Sequence, residues 1–222
     1  MNKQILILLF FVPGILFAQQ TKKIVNRTMG ETFYVLKSDK KKRHGEYAKF
    51  SFNRNLLVKG YYKFGAKDSI WECFDFGGQL TLKYDYSEDE LVFYKPNDKV
   101  KDKKYRIIVN GTKLDTILSR PPVFLGGDGF IMSEIGRNLR YPIEAMEKGK
   151  SGRAVVLFTV DKYGKTSNYY VETPIGYGMD EEAIRTLKLI PNDWWLPGLL
   201  NGQPVDVEVD YPINFYRLNL DR

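Results

Sequence analysis

From Arg43 to Tyr86 the chain repeats itself. A shift of 24 residues maps Tyr47 onto Trp71, Phe50 onto Phe74, Asn55-Leu56 onto Gln79-Leu80, Lys59 onto Lys83 and Tyr62 onto Tyr86. Self-similarity at a fixed spacing means that one structural unit is used again. Each copy holds an aromatic run, a polar turn (Phe52-Asn-Arg-Asn55 and Phe76-Gly-Gly-Gln79) and a second aromatic-rich run, which is the pattern of a β-hairpin stacked on its neighbour. Phe33 to Leu36 and Leu91 to Tyr94 read as flanking strands, and Tyr105 to Leu118 as a last hairpin around Asn110-Gly111. Because such repeats contact mainly their neighbours, the expectation is an elongated antiparallel meander.

Arg120-Pro121-Pro122 is stiff and extended, and is taken as the boundary to a second unit. Beyond it Asp128 stands before Ile131, Ile135 and Leu139, one helical face with Asp128 as its expected cap. Tyr141-Pro142 opens a short helix that Gly149 stops. Gly152 to Val160 and Lys165 to Thr173 are β-rich runs joined by Asp161-Lys-Tyr-Gly164, an antiparallel hairpin. Asp180-Glu181-Glu182 suits the N-terminus of a helix whose Met179, Ala183, Leu187 and Ile190 share a face before Pro191 halts it. Trp194-Trp195 reads as a corner packing on that helix. The closing run alternates: Val205, Val207, Val209 and Tyr211 face a core, and Asp206, Glu208 and Asp210 face water.

The 14 apolar residues from Ile5 to Ala18 are fewer than the roughly 20 that span a membrane, and a cationic start with small Ala18 before Gln19-Gln20 predicts a signal peptide cut after Ala18. The balance of 34 Lys and Arg against 27 Asp and Glu gives +7, but the basic runs at Lys37 to Arg43 and Lys95 to Lys104 are mixed with Asp and Asn, as in solvated loops. No nucleic-acid partner is expected. Cys73 stands alone, so packing rather than a disulfide must hold the fold, in two modest cores. An enzyme needs a nucleophile with a base, a metal set or a paired carboxylate. His44 lies in a basic repeat loop and reads as a solvated surface residue, Cys73 lies in an aromatic strand, Gly126-Gly127-Asp128 is a tight turn without a following Lys-Ser/Thr, and Asp180 to Glu182 start a helix. The reading is therefore a non-enzymatic protein without cofactor or metal.

Two resemblances follow from these residues. Gly45-Glu-Tyr47, Gly60-Tyr-Tyr-Lys-Phe-Gly65 and Lys67-Asp-Ser-Ile-Trp71 resemble MORN-type repeats of bacterial envelope proteins. Tyr141-Pro142, Gly152 before its strand, Val160-Asp161 with Gly164, Gly178-Met-Asp-Glu-Glu-Ala183, Trp195-Leu-Pro-Gly198, Asn201-Gly-Gln-Pro-Val205 and Pro212-Ile-Asn-Phe215 resemble, in order, the C-terminal domain of TonB energy transducers. That resemblance implies an α+β fold, with a three-stranded antiparallel sheet carrying two helices on one face. The expected organisation is a signal peptide at 1–18, a MORN-like β-hairpin repeat region at 19–119 and a TonB C-terminal-like domain at 120–222.

The closing run has no strand after it, so it is expected to be a sheet edge with unpaired backbone groups. An extended peptide can add to such an edge, main-chain hydrogen bonds giving affinity and alternate side chains selectivity. In the TonB family this strand receives the TonB box of outer-membrane receptors, which by resemblance carries partner binding to Val205, Val207, Glu208, Val209, Tyr211, Ile213 and Phe215, with Asn138, Tyr141 and Pro142. The implied protein is periplasmic and non-catalytic, binding TonB-dependent transporters and so assisting transmembrane transport. Pro96 is the single proline between Ala18 and Arg120, so the Pro-rich linker of full transducers is missing and peptide binding, not force transmission, is implied. The alternative is a structural envelope protein whose repeats bind cell-wall polymer or a protein partner; a homodimer through the C-terminal sheet edge is a further expectation.

Overall fold

The computed structural model describes residues 20–96, 103–109 and 111–216. The expected signal peptide lies outside the described residues. Seven strands follow one another as an antiparallel meander: β1 (Thr21–Asn26), β2 (Glu31–Leu36), β3 (Arg43–Phe50), β4 (Leu56–Lys63), β5 (Ala66–Phe74), β6 (Leu80–Asp85) and β7 (Glu90–Tyr94). The repeat is visible atom by atom. In the β3–β4 turn the Ser51 N–H donates to Asn55 O at 2.9 Å and Arg54 N–H to Ser51 O at 3.1 Å; in the β5–β6 turn Asp75 and Gly78 make the same bonds at 3.0 and 3.1 Å. Ser51 Oγ and Asp75 Oδ1 each accept the N–H four residues on. Arg54 and Gly78 both take positive φ, and both hairpins slip register at the equivalent Phe50 and Phe74.

The alternation of β3 to β6 turns Tyr47, Trp71 and Tyr84 inward, Tyr47 stacking on Trp71 with centroids 5.2 Å apart. Trp71 lies on the bare backbone of Gly60, where a Cβ would stand 2.2 Å from the indole.

The remaining strands are β8 (Lys104–Val109), β9 (Thr112–Ile117), β10 (Val123–Phe124), β11 (Gly152–Val160), β12 (Thr166–Val171), β13 (Trp195–Leu196), β14 (Gly198–Leu200) and β15 (Gln203–Phe215). β10 pairs with β13, and the main sheet runs β12-β11-β15-β8-β9 with β14 also on β15. Here the expected three-stranded sheet is corrected. β12, β11 and β15 are those three strands, but the 104–117 hairpin, expected with the repeat region, extends the sheet. The reason is apolar: Tyr105 and Ile107 alternate inward and enclose Val207 with Leu118.

The helices are α1 (Gly127–Asn138), α2 (Ile143–Glu147) and α3 (Met179–Leu187). In α3 the carboxylates of the first turn meet the positive end of the dipole, and Met179, Ala183 and Leu187 are buried, with Ile190 just past the end. Asp180 folds back to accept the N–H groups of Ile175 and Gly176 at 3.0 and 2.7 Å. Asp128 stands in the first turn of α1 without capping it, since Gly126 is the N-cap. Gly127, at φ 73°, lets the turn approach Cys73, whose Cβ would lie 2.8 Å from an added Cβ.

α3 packs on β11 and β12, α1 on β4 and β5, and the two helices touch. Helices therefore lie between two sheets. The main core cluster runs from Tyr47 and Trp71 through Phe130 to Phe158 and Phe215, so the meander and the second sheet share it, and the smaller cluster around Val207 is the second core. Trp194 joins the main cluster across the layers rather than on α3 alone, 6.0 Å from both the Trp71 and Phe124 rings. Arg120 runs beside β14, its N–H donating to Leu199 O at 3.3 Å and its Nη2 to Pro197 O at 3.0 Å.

Candidate functional site

β15 is the strand from which a site can be built. On one flank it pairs with β11 from Val207 to Phe215 and on the other with β8 from Asp206 to Glu208, and its first residues, Gln203 to Val205, pair with β14. Val207 and Glu208 are thus paired on both sides and Val205 is paired with Gly198 of β14, which corrects the expectation of an open edge beginning at Val205. The β8 ladder stops at Glu208, where Lys103 turns to the Asp210 carboxylate. From Asp210 to Phe215 this flank carries no strand among the described residues.

The direction of the free backbone groups follows from Pro212. It stands opposite Val155 and has no N–H, and proline is accommodated in a ladder where that N–H would face away from the neighbouring strand. With a period of two, Asp210 and Asn214 also direct their N–H and C=O to the open flank. Side by side with this flank lies a cleft of about 470 Å³ between the two sheets, with Tyr94, Tyr105, Phe124, Ile131, Met132 and Tyr211 among its walls. Asp128 and Lys103 add charge. Burial raises the Asp128 carboxyl above its usual range, pushes the Tyr105 phenol up to about 12, and raises that of Tyr211 further.

The expected partner-binding side chains divide. Val207, Ile213 and Phe215 are buried in the cores, and Val205 and Val209 pack against them. Tyr211 faces the cleft. Tyr141 stacks edge-on against Phe215 at 6.0 Å and donates to Lys150 O. Pro142 caps α2, and Asn138 closes α1, giving its Nδ2–H to Glu134 O at 2.9 Å and accepting from Arg185 at its carbonyl at 2.7 Å. These three residues link the ends of α1, α2 and α3 to one another and to Phe215.

Glu208 corrects the expected wet face most sharply. Its carboxylate is buried under Arg106 Nη1 at 2.8 Å, Lys113 Nζ at 2.7 Å and the Tyr170 hydroxyl at 2.8 Å. Burial alone would raise its pKa, but hydrogen bonds from Lys113 and Tyr170, with that of Arg106, hold it below the usual carboxylate range. The long side chains of β8, β9 and β12 make a lid over one acid, which alternation in β15 could not reveal.

The groups weighed for catalysis find structural places. Burial pushes the Cys73 thiol up to about 12, and its Sγ–H points to Leu125 O at 3.4 Å, so a thiolate is disfavoured. His44, expected in a solvated loop, is instead buried in β3, its Nδ1 accepting the Phe64 N–H at 3.2 Å. Among the described residues no group of three or more His, Cys, Asp or Glu could hold a metal, and no helix is long and apolar enough to cross a membrane.

The segment that supplies α2, α3, β11, β12 and β15 carries a family signature. Residues 137–216 match the family model of the Gram-negative bacterial TonB protein C-terminal. The matched TonB-type segment begins at the end of α1 and stops at the end of β15; the meander and the β8–β9 hairpin lie outside it. The match points to a TonB-like role in envelope transport, in a family of non-enzymatic transducers and binding proteins that interact with outer-membrane TonB-dependent receptors. Neither a curated protein nor a solved structure matches the chain.

Proposed function

We propose that this is a non-catalytic, exported envelope protein that takes up the TonB box of an outer-membrane TonB-dependent transporter by strand addition to β15. The observation that carries the reading is the flank from Asp210 to Phe215, which has no strand partner among the described residues and is bordered by an aromatic-walled cleft. A peptide laid there would bond to the backbone of Asp210 and Asn214 while its alternate side chains enter the cleft beside Tyr211. The docking residues on this reading are Asp210 to Phe215 and the cleft wall, with Val205 to Glu208 supporting them from within the sheet. The first 18 residues serve as its export signal, which places it in the periplasm.

The test is calorimetric titration with a TonB-box peptide. Asn214→Pro removes one outward donor at a position of the same parity as Pro212, and should weaken binding about fivefold, the worth of roughly one hydrogen bond. Asn214→Ala, which keeps the N–H, should bind as the parent does. Both should keep the parental thermal transition, because Asn214 is exposed. Parental affinity in a folded Asn214→Pro variant would remove this flank from the docking site.

A second reading rests on the outer face of the meander, where Tyr34, Tyr61, Lys59 and Glu46 line a groove of about 500 Å³ that could seat a polymer. Retention on cell-wall polymer together with no peptide binding would favour it.

A further inference from the structure

Among the described residues the β9 strand forms the far edge of the second sheet, and its ladder with β8 is regular from Thr112 to Ile117. The other outer strands are guarded. The β12 ladder is broken by a bulge and Asn168 takes φ 53°, β7 also slips register, and β1 exposes Lys22 and Lys23. Bulges and exposed lysines are how proteins keep edges from pairing. In β9 the half-exposed Lys113 is bonded to Glu208 and Tyr170 of its own sheet, Asp115 lies 3.7 Å from Arg106, and Leu114 between them is 51% exposed.

Backbone directions follow by parity from Pro212. Asp206 and Glu208 face β8, so Arg106 and Ile108 face β15. Tyr105, Ile107 and Val109 then bond to Thr116, Leu114 and Thr112. Lys113, Asp115 and Ile117 are left with their N–H and C=O groups pointing outward.

We infer that β9 pairs with β9 of a second copy of this chain, antiparallel and centred on Leu114. In that register Leu114 meets Leu114 across the two-fold axis as a closely spaced pair. Lys113 and Asp115 of one protomer bond to Asp115 and Lys113 of its partner, and Thr112 stands opposite Thr116. The sequence is self-complementary in charge only because the two charged residues lie symmetrically about Leu114. Lys113 and Asp115 keep their own-chain partners Glu208 and Arg106, and facing each other across the seam they add to that network instead of repelling; the two five-strand paths join into one sheet. This edge lies outside the matched segment and apart from the β15 flank, so the pairing leaves the proposed peptide site open. A single strand seam is smaller than the roughly 1,200 Å² of stable complexes, so the dimer is weak and concentration-dependent.

Cysteine crosslinking of the full chain tests the register, because the native Cys73 is buried and stays silent. Leu114→Cys places two thiols on Cα atoms about 4.5 Å apart, within the span of a disulfide. Mild oxidation should convert it to a covalent dimer. Thr112→Cys alone should stay monomeric, its two copies being about 14 Å apart at roughly 3.4 Å per residue, yet it should crosslink when mixed with Thr116→Cys. Adding Asp115→Lys to the Leu114→Cys chain sets lysine against lysine and should suppress the crosslink. Equal crosslinking by all variants, none by Leu114→Cys, or indifference to Asp115→Lys would overturn the proposal.

Discussion

Lys49 Nζ donates to Glu134 Oε1 at 2.5 Å, with both side chains buried, one on β3 of the meander and the other on α1. Lys49 also donates to Met29 O at 2.7 Å and lies 4.9 Å from the centre of the Phe130 ring. Beside it Arg137 donates to Thr28 O and Phe50 O at 2.7 and 3.0 Å, so α1 is fixed to the first sheet by charge at both points. Without Glu134 the buried Lys49 ammonium keeps, as an ion pair, only the longer contact to Glu31, at 3.8 Å, and loses its short charged hydrogen bond. Glu134→Ala should therefore cost about 3–5 kcal/mol, and Lys49→Met with Glu134→Leu should recover most of it. A double-mutant cycle by urea unfolding checks this; additive losses would show that the two side chains are not coupled.

Glu208 should make stability depend on pH. Its folded pKa is held below the 4.5 of the free side chain, so its contribution is present above pH 4.5 and is lost as pH falls through the folded value. Glu208→Gln should lower the melting midpoint at pH 7, and the gap to the parent should shrink below pH 4.5. A gap unchanged down to pH 2 would mean that the charge is not what the lid of Arg106, Lys113 and Tyr170 serves.

Lys67 acts in the opposite pH range. Its Nζ lies 3.2 Å from the centre of the Trp194 ring and bonds to the Tyr86 hydroxyl at 2.9 Å, and burial lowers its pKa to about 6. The unfolded chain then holds a proton that the folded chain lacks, so stability should rise with pH from about 6 towards 10.5. Lys67→Met should flatten that rise in pH-dependent melts followed by tryptophan fluorescence.

Gly60 should tolerate no side chain. A Cβ there would stand 2.2 to 2.6 Å from the Trp71 indole, which the surrounding rings hold in place. Gly60→Ala should cost about 1–3 kcal/mol or more through overpacking. An unchanged melting temperature with unchanged near-UV circular dichroism would show that Trp71 is free to move.

Much of the local structure was legible because it is written in short periods. The repeat marked β3 to β6 through turns whose atoms superimpose in bonding, and Met179, Ala183 and Leu187 marked α3 by their spacing. The site was legible only in part. Alternation in β15 correctly put Val207 inward, yet it also promised water to Glu208, which three long side chains from other strands cover. Pro212 was the overlooked sign, since a proline in a long strand marks where a flank is left open.

The sequence by itself determined the hairpins, the helix faces and the TonB-like order of residues, because backbone sterics and side-chain periodicity act within a few residues. Only the tertiary structure decided that β8 lies beside β15, that α1 joins the two sheets and that the free flank starts at Asp210. Ile107 and Val207 are a hundred positions apart. Such partners are chosen by the burial of apolar faces across the whole chain, and no local pattern encodes which faces will meet.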